Sequence, residues 1–189
     1  MIDLGAHYLE EAQRQLRGYK RLGEAAIHQL KDEDLLVTLD PESNSVAILV
    51  RHIVGNMKSR FTDFLTTDGE KPDRNRDREF EIGGQPTRAE IMGWWEEGWA
   101  RVFSTIAELK PEDLLRTVTI RGEPHTVLQA INRQLAHYSA HVAQIIFLAK
   151  HLRSSHWKSL SIPRGRSKDF NPLAGKHDRG LPRDEGKAS

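Results

Sequence analysis

The amino-acid sequence predicts an all-α fold, a four-helix bundle, and three observations carry that expectation. Small or apolar residues recur at steps of three and four in four separate stretches, the period of a helix buried along one side. Gly, Pro, Asp and Ser gather between those stretches and break the period. Segments of roughly 20 to 28 residues make helices about 30 to 40 Å long, which suits a bundle of nearly parallel or antiparallel members.

The first helix is expected over roughly Asp3 to Lys31, where Leu9, Ala12, Leu16, Tyr19, Gly23, Ala26 and Leu30 form the stripe. Lys31-Asp32-Glu33-Asp34 and Pro41 interrupt it. Ser43, Asn44 and Ser45 then offer N-cap oxygens to a second helix, Val46 to Leu65. Thr66 to Pro86, with Gly69, Pro72, Gly83, Gly84 and Pro86, reads as a long exposed connection, and its Arg74 to Arg78 cluster, interleaved with Asp73 and Asp77, as a self-neutralising loop. Thr87-Arg88-Ala89-Glu90 fits a capping box that opens the third helix. The stripe of Ile91, Trp94 or Trp95, Gly98, Val102, Ile106 and Leu109 runs to Pro111, which ends the helix. Thr117 to Ile120 is β-prone and precedes the turn signal Arg121-Gly122, so a short extended segment is expected before helix four. Pro124 is placed at the first turn of that helix, which reaches about Leu152. The unequal loops leave up-down-up-down and up-down-down-up arrangements both open.

Two regions are therefore expected, a bundle over 1–152 and a basic, irregular C-terminal tail over 153–189. The tail holds nine Lys or Arg against four Asp or Glu, while the body holds 19 against 23. Its charges are scattered among Ser, Pro and Gly, so it is read as a solvated tail and not as a nucleic-acid arm. There is no cysteine, which excludes a disulfide framework, a zinc ribbon and a protein thiol nucleophile. The longest aliphatic run, Val46 to Val50, is far short of the roughly 18 residues of a membrane span. Met1-Ile2-Asp3-Leu4 lacks the basic and apolar regions of a signal peptide. A soluble, cytoplasmic protein with no membrane partner is the expectation.

Chemistry points to the histidines. His137 and His141 stand one turn apart on one face of the most apolar helix. Gln134 and Gln144 extend that face into a polar strip flanked by Leu128, Ile131, Leu135, Ile145 and Leu148. Buried polar groups need partners, because each one left unpaired costs about 1 to 3 kcal/mol. His52, within the apolar run Val50 to Val54, is the natural third member. With helices two and four as neighbours, three imidazoles could hold one metal ion and leave a position open, the pattern of a catalytic rather than a closed structural site. Asn56, Gln134 and Gln144 are in register to orient the rings. No general base is assigned: His125, Asp40 and Glu42 suit helix starts and exposed turns, and Trp95 and Trp99 suit a core, a dimer interface or a pocket wall.

Val50-Arg51-His52-Ile53-Val54-Gly55-Asn56 and His137-Tyr138-Ser139-Ala140-His141-Val142-Ala143-Gln144-Ile145, with the turn Leu109 to Leu114, resemble the motifs of the DinB/YfiT-like superfamily of bacterial metal-binding four-helix proteins. The resemblance covers about residues 3 to 152, and Leu160 to Asn171 is similar to the tail of one uncharacterised subgroup. It implies up-down-down-up connectivity, frequent homodimers, and one divalent ion, usually zinc or nickel, on His52, His137 and His141. Some relatives transfer low-molecular-weight thiols to electrophiles or isomerise thiol conjugates. A metal-dependent thiol S-transferase or hydrolase acting on a small molecule is thus the leading expectation. The alternative is a non-enzymatic dimeric binding or structural bundle, with a structural metal or none.

Overall fold

The computed structural model describes residues 3–169. The described residues hold four α-helices and one two-stranded sheet: α1 (Leu4–Ile27), α2 (Val46–Phe61), α3 (Arg88–Glu108), β1 (Thr117–Ile120), β2 (Glu123–Thr126) and α4 (Val127–Arg153). No helix among them is long and apolar enough to cross a membrane. The family of residues 170–189, including Phe170, Asn171 and His177, lies outside the described residues.

Each helix begins where a side chain can take up the free amides of its first turn. Asp3 accepts from the amides of Gly5 and Ala6 at α1, and Ser45 from Ile48 at α2. The capping box expected at Thr87 and Glu90 is present at α3. A second one, Thr126 with Gln129, opens α4, and it displaces the expected start. Pro124 is not in the helix but in β2, opposite Thr119. A two-stranded hairpin accommodates Pro because an edge strand need not donate at every residue. Arg121 and Gly122 form its two-residue turn, both with positive φ (57° and 76°), the left-handed conformation that primed hairpin turns require.

Helix α1 packs chiefly on α4, and α2 chiefly on α3, with lighter contact between α2 and α4 and between α1 and α3. Named pairs fix the registers. Lys58 bonds Glu97 (2.8 Å), and Thr105 donates to the carbonyl of Phe61 (2.8 Å). A Cβ on Gly98 would stand 2.9 Å from the Met57 sulfur, so the bare glycine backbone is what lets α3 come this close to α2. Tyr8 bonds Asn132 (2.9 Å) between α1 and α4. Lys20 reaches Glu96 (2.8 Å) from α1 to α3. The core fills with Leu16, Leu49, Ile53, Met57, Ile131 and the rings of Trp95, Trp99 and Tyr138, all fully buried. Trp99 meets Trp95 and Tyr138 edge to face at 5.5 and 5.7 Å, so these tryptophans are core and not a pocket wall. Their indole N–H groups have no acceptor among the described residues.

Beyond α4 the chain turns at Ser154 (φ 47°) and returns to the body. Leu160 is buried in the core, and Lys158 and Gln29 exchange two hydrogen bonds of 2.7 and 3.0 Å. The connection between α2 and α3 also differs from the exposed loop the sequence suggests. Its side chains Arg74 and Glu79 are only 5% and 8% exposed, and the short 3-10 turn Asp77–Phe80 packs against α2. Phe80 lies against the ring of His52, so the segment is anchored by an apolar contact as well as by charge pairing.

Candidate metal centre

Spacing places His52, Asn56 and Arg60 on one stripe of α2, and Gln134, His137 or Tyr138, and His141 on one stripe of α4. The two stripes meet. Asn56 accepts from the Tyr138 hydroxyl (3.0 Å), and the rings of His137 and His141 stand 5.4 and 4.9 Å from that of His52, both edge-on. His52, His137 and His141 form the one group of three or more metal-competent side chains among the described residues, with ligand atoms all within 4.8 Å of one another. No fourth His, Asp or Glu joins them there. The three residues singled out from sequence are thus brought together.

The outer nitrogens are held unequally. His52 is buried, and its Nδ1 bonds the Glu79 carboxylate at 2.8 Å. A carboxylate only accepts, so a neutral His52 carries its proton on Nδ1 and keeps the Nε2 lone pair. His141 Nδ1 lies 3.2 Å from the Gln144 side-chain oxygen, which likewise leaves Nε2 as the lone pair. Gln144 therefore takes the orienting role expected of it, whereas Asn56 is turned to Tyr138. His137 Nδ1 is buried with no partner among the described residues. Its Nε2 faces His141 Nε2 at 3.2 Å. Two imidazole nitrogens at that distance need a proton or a cation between them. A tetrahedral ion with ligands at 2.0–2.1 Å holds neighbouring donors about 3.3 Å apart, so the pair fits such an ion without rearrangement.

Electrostatics keep the rings of His137 and His141 neutral. Burial, then the charges of His141, His52, Arg74 and Arg60, pushes the pKa of His137 down to about 3. Burial also lowers that of His141, against the hydrogen bond that its Nδ1–H donates to Gln144. Neutral imidazole is the form that ligates a metal. Glu79 moves the other way for a buried acid: burial raises it, but the bonds from His52 and Arg74 outweigh burial and hold the carboxyl below its ordinary range. Arg74 grips it through Nε (2.8 Å) and Nη2 (3.0 Å), the two-pronged pairing that fixes a carboxylate in place.

Glu79 and Arg74 are the residues that sequence reasoning missed. A carboxylate that receives the second N–H of a ligating histidine fixes its tautomer and strengthens it as a donor. Gly55 makes room for it, since a Cβ there would stand 2.6 Å from the Glu79 carboxyl carbon. The available signal was Phe80 and Ile82, two apolar residues in an otherwise charged stretch. His125 is in β2, with Nδ1 3.0 Å from its neighbour's carbonyl at Glu123, and takes no part.

Fold and cluster together define a helical-bundle protein with a three-histidine site able to hold a metal ion. The chain belongs to the family described as Protein of unknown function (DUF1572), which it matches over residues 3–166. No curated protein and no solved structure matches the chain.

Proposed function

We propose that the chain is a metal-dependent enzyme of the DinB/YfiT-like superfamily, a thiol S-transferase or hydrolase acting on a small molecule. One divalent ion, zinc or nickel, is held by His52, His137 and His141. The observation that carries this reading is the meeting of three imidazoles from α2 and α4, with ligand atoms within 4.8 Å and one outer nitrogen tied to a buried carboxylate. Three protein ligands without a fourth leave room for substrate. When bound there, the ion supplies Lewis acidity, polarising a carbonyl or making a water or thiol more acidic. The protein's own part is to keep the lone pairs of His137 and His141 unprotonated, to fix the His52 tautomer through Glu79, and to exclude water with Phe80.

The helix order up-down-down-up belongs to the same reading. Its support is the run of contacts: numbers rise together along α2 and α3 (Lys58 with Glu97, Phe61 with Thr105), and in opposite senses along α2 and α4 (His52 with His141, Asn56 with Tyr138). A homodimer is also proposed. Phe147, 64% exposed on α4, is the kind of residue a partner would cover, and sedimentation velocity tests it.

Metal analysis of untagged protein, paired with His52→Ala, His137→Ala and His141→Ala, tests the site. One ion per chain in the wild type and loss of that ion in each variant are expected. Undiminished stoichiometric binding in His52→Ala or His137→Ala would sink the assignment. The competing reading, a non-enzymatic bundle, draws on the 3.2 Å contact of His137 and His141, which a shared proton could also satisfy. Protein that takes up no ion would favour it.

A further inference from the structure

Beside the histidines is a cavity of about 270 Å³ whose walls include His52, His137 and five arginines: Arg60, Arg74, Arg76, Arg121 and Arg133. Two carboxylates answer them. Glu70 pairs with Arg60 (2.9 Å), Arg121 (3.0 Å) and, more loosely, Arg74 (3.4 Å), and Glu79 pairs with Arg74. Arg76 lies over the Phe80 ring at 5.1 Å. Arg133 is exposed and makes no ion pair with a described residue. The cavity wall therefore carries more guanidinium charge than the protein neutralises. Such charge in a concave, partly dry site attracts and orients an anion.

A second observation is independent of that count. Six buried side-chain polar atoms have no partner among the described residues, and three belong to residues lining this one cavity: Arg60 Nε, Gln134 Oε1 and His137 Nδ1. Arg60 and Gln134 are 4% and 3% exposed. Native interiors seldom leave such groups unmet. Arg60 Nε–H can only donate, whereas Gln134 Oε1 only accepts. When Nε2 of His137 ligates a metal, its Nδ1 becomes a donor as well. Arg60 and His137 then both call for acceptor oxygens.

The hairpin supplies a third. Arg121 occupies the first turn position with φ 57°, a conformation that suits Gly, Asn or Asp far better than Arg. Asp68 holds it there by accepting from the amides of Arg121 (2.9 Å) and Gly122 (2.8 Å). The turn thereby fixes the Arg121 backbone beside the cavity, and Glu70 holds its Nε at 3.0 Å.

We propose that this cavity is an oxyanion subsite, which takes the carboxylate or phosphoryl group of a small-molecule substrate and sets its reacting end beside the three imidazoles. As a substrate-positioning site it rests on the metal reading above; as an anion site it does not. The volume is slightly below the 300 Å³ at which small-molecule sites usually begin, so it holds a charged group or a very small acid, not a whole larger ligand.

The test is isothermal titration of inorganic phosphate and, separately, of succinate into the untagged, zinc-loaded full chain at constant ionic strength. Saturable binding of one anion per chain is expected. Arg133→Gln and Arg76→Gln, both at exposed positions, should each weaken it about tenfold, the scale of one lost charge-assisted hydrogen bond, with zinc stoichiometry and the thermal midpoint unchanged. Preference for phosphate or for succinate names the group, and either supports the subsite. No saturable binding of either anion, or wild-type affinity in both variants, overturns it. So does tight binding of a short DNA duplex that the same variants abolish, since the face would then be a nucleic-acid surface. Repeating the titration on chelator-treated protein separates the two readings: anion binding that persists and still depends on Arg133 and Arg76 supports the subsite even where zinc binding has failed.

Discussion

Helix α2 has two kinds of neighbour, and they make opposite demands on it. Toward α3 it presents Val54 and Met57 to the bare backbone of Gly98, in a seam that continues into the tryptophan core. Toward α4 it presents His52 and Asn56, whose partners are His137, His141 and Tyr138. Apolar contacts are non-directional, so the α3 seam gains stability from area and close packing alone. The α4 seam gains little by comparison, because a hydrogen bond exchanged for one to water is worth only about 0.5–1.5 kcal/mol net. What it gains is position. Each polar group there has a defined partner or lacks one, and the unmatched groups cluster at the site.

The comparison is broken most severely by Trp95→Ala. Trp95 is fully buried against Gly23 and Trp99, and removing a buried Trp costs about 3–5 kcal/mol. Urea denaturation should record that loss while zinc stoichiometry stays at its wild-type value. A fall in stoichiometry under native conditions would mean that the apolar seam positions the histidines after all.

Glu79→Gln acts on the other seam and should be smaller in free energy. Gln keeps a group within reach of His52 but gives up the charge, and loss of such an outer partner typically lowers metal affinity 10- to 100-fold. Competition with a chromophoric chelator measures this. Gly55→Ala should mimic it by crowding the carboxyl group from beneath. Unchanged affinity in both variants would demote Glu79 to a partner of Arg74 alone.

Much of this was legible in sequence, and the division follows the two seams. The helices, the caps at Ser45 and Thr87 and the three histidines follow from local rules, because helix period and N-cap chemistry act within a few residues. Glu79 did not follow. It lies 27 residues from His52 in a stretch whose Gly, Pro and charge mark it as loop, and only the tertiary fold turns that stretch onto α2. Pro124 failed for a local reason: Pro suits both a helix start and an edge strand, and the capping box at Thr126 decided between them. The arginine cavity was invisible for the same reason as Glu79. Its walls come from α2, the α2–α3 connection, the hairpin and α4, and no sequence window contains more than two of them.

The mildest test is acid, and it separates the seams without a mutation in the core. An unfolded chain protonates His137 near its ordinary 6.5, the folded, metal-free chain only near 3. Between those values the unfolded state binds more protons, so stability is complete above pH 6.5 and falls as pH drops through the window. One proton of difference gives a slope on the order of 1 kcal/mol per pH unit. His141, lowered in the same direction, adds to it. The depressed carboxyls of Glu70 and Glu79 contribute only once pH nears their ordinary 4.5, so the interval from 6.5 down to 4.5 belongs to the histidines. Denaturation of chelator-treated protein across that interval should show the slope, and His137→Gln should flatten it. With zinc bound the loss should steepen, because protons then compete with the ion as well. A flat profile in the metal-free wild type would mean that His137 is hydrated in solution and that the α4 seam is wetter than its packing implies.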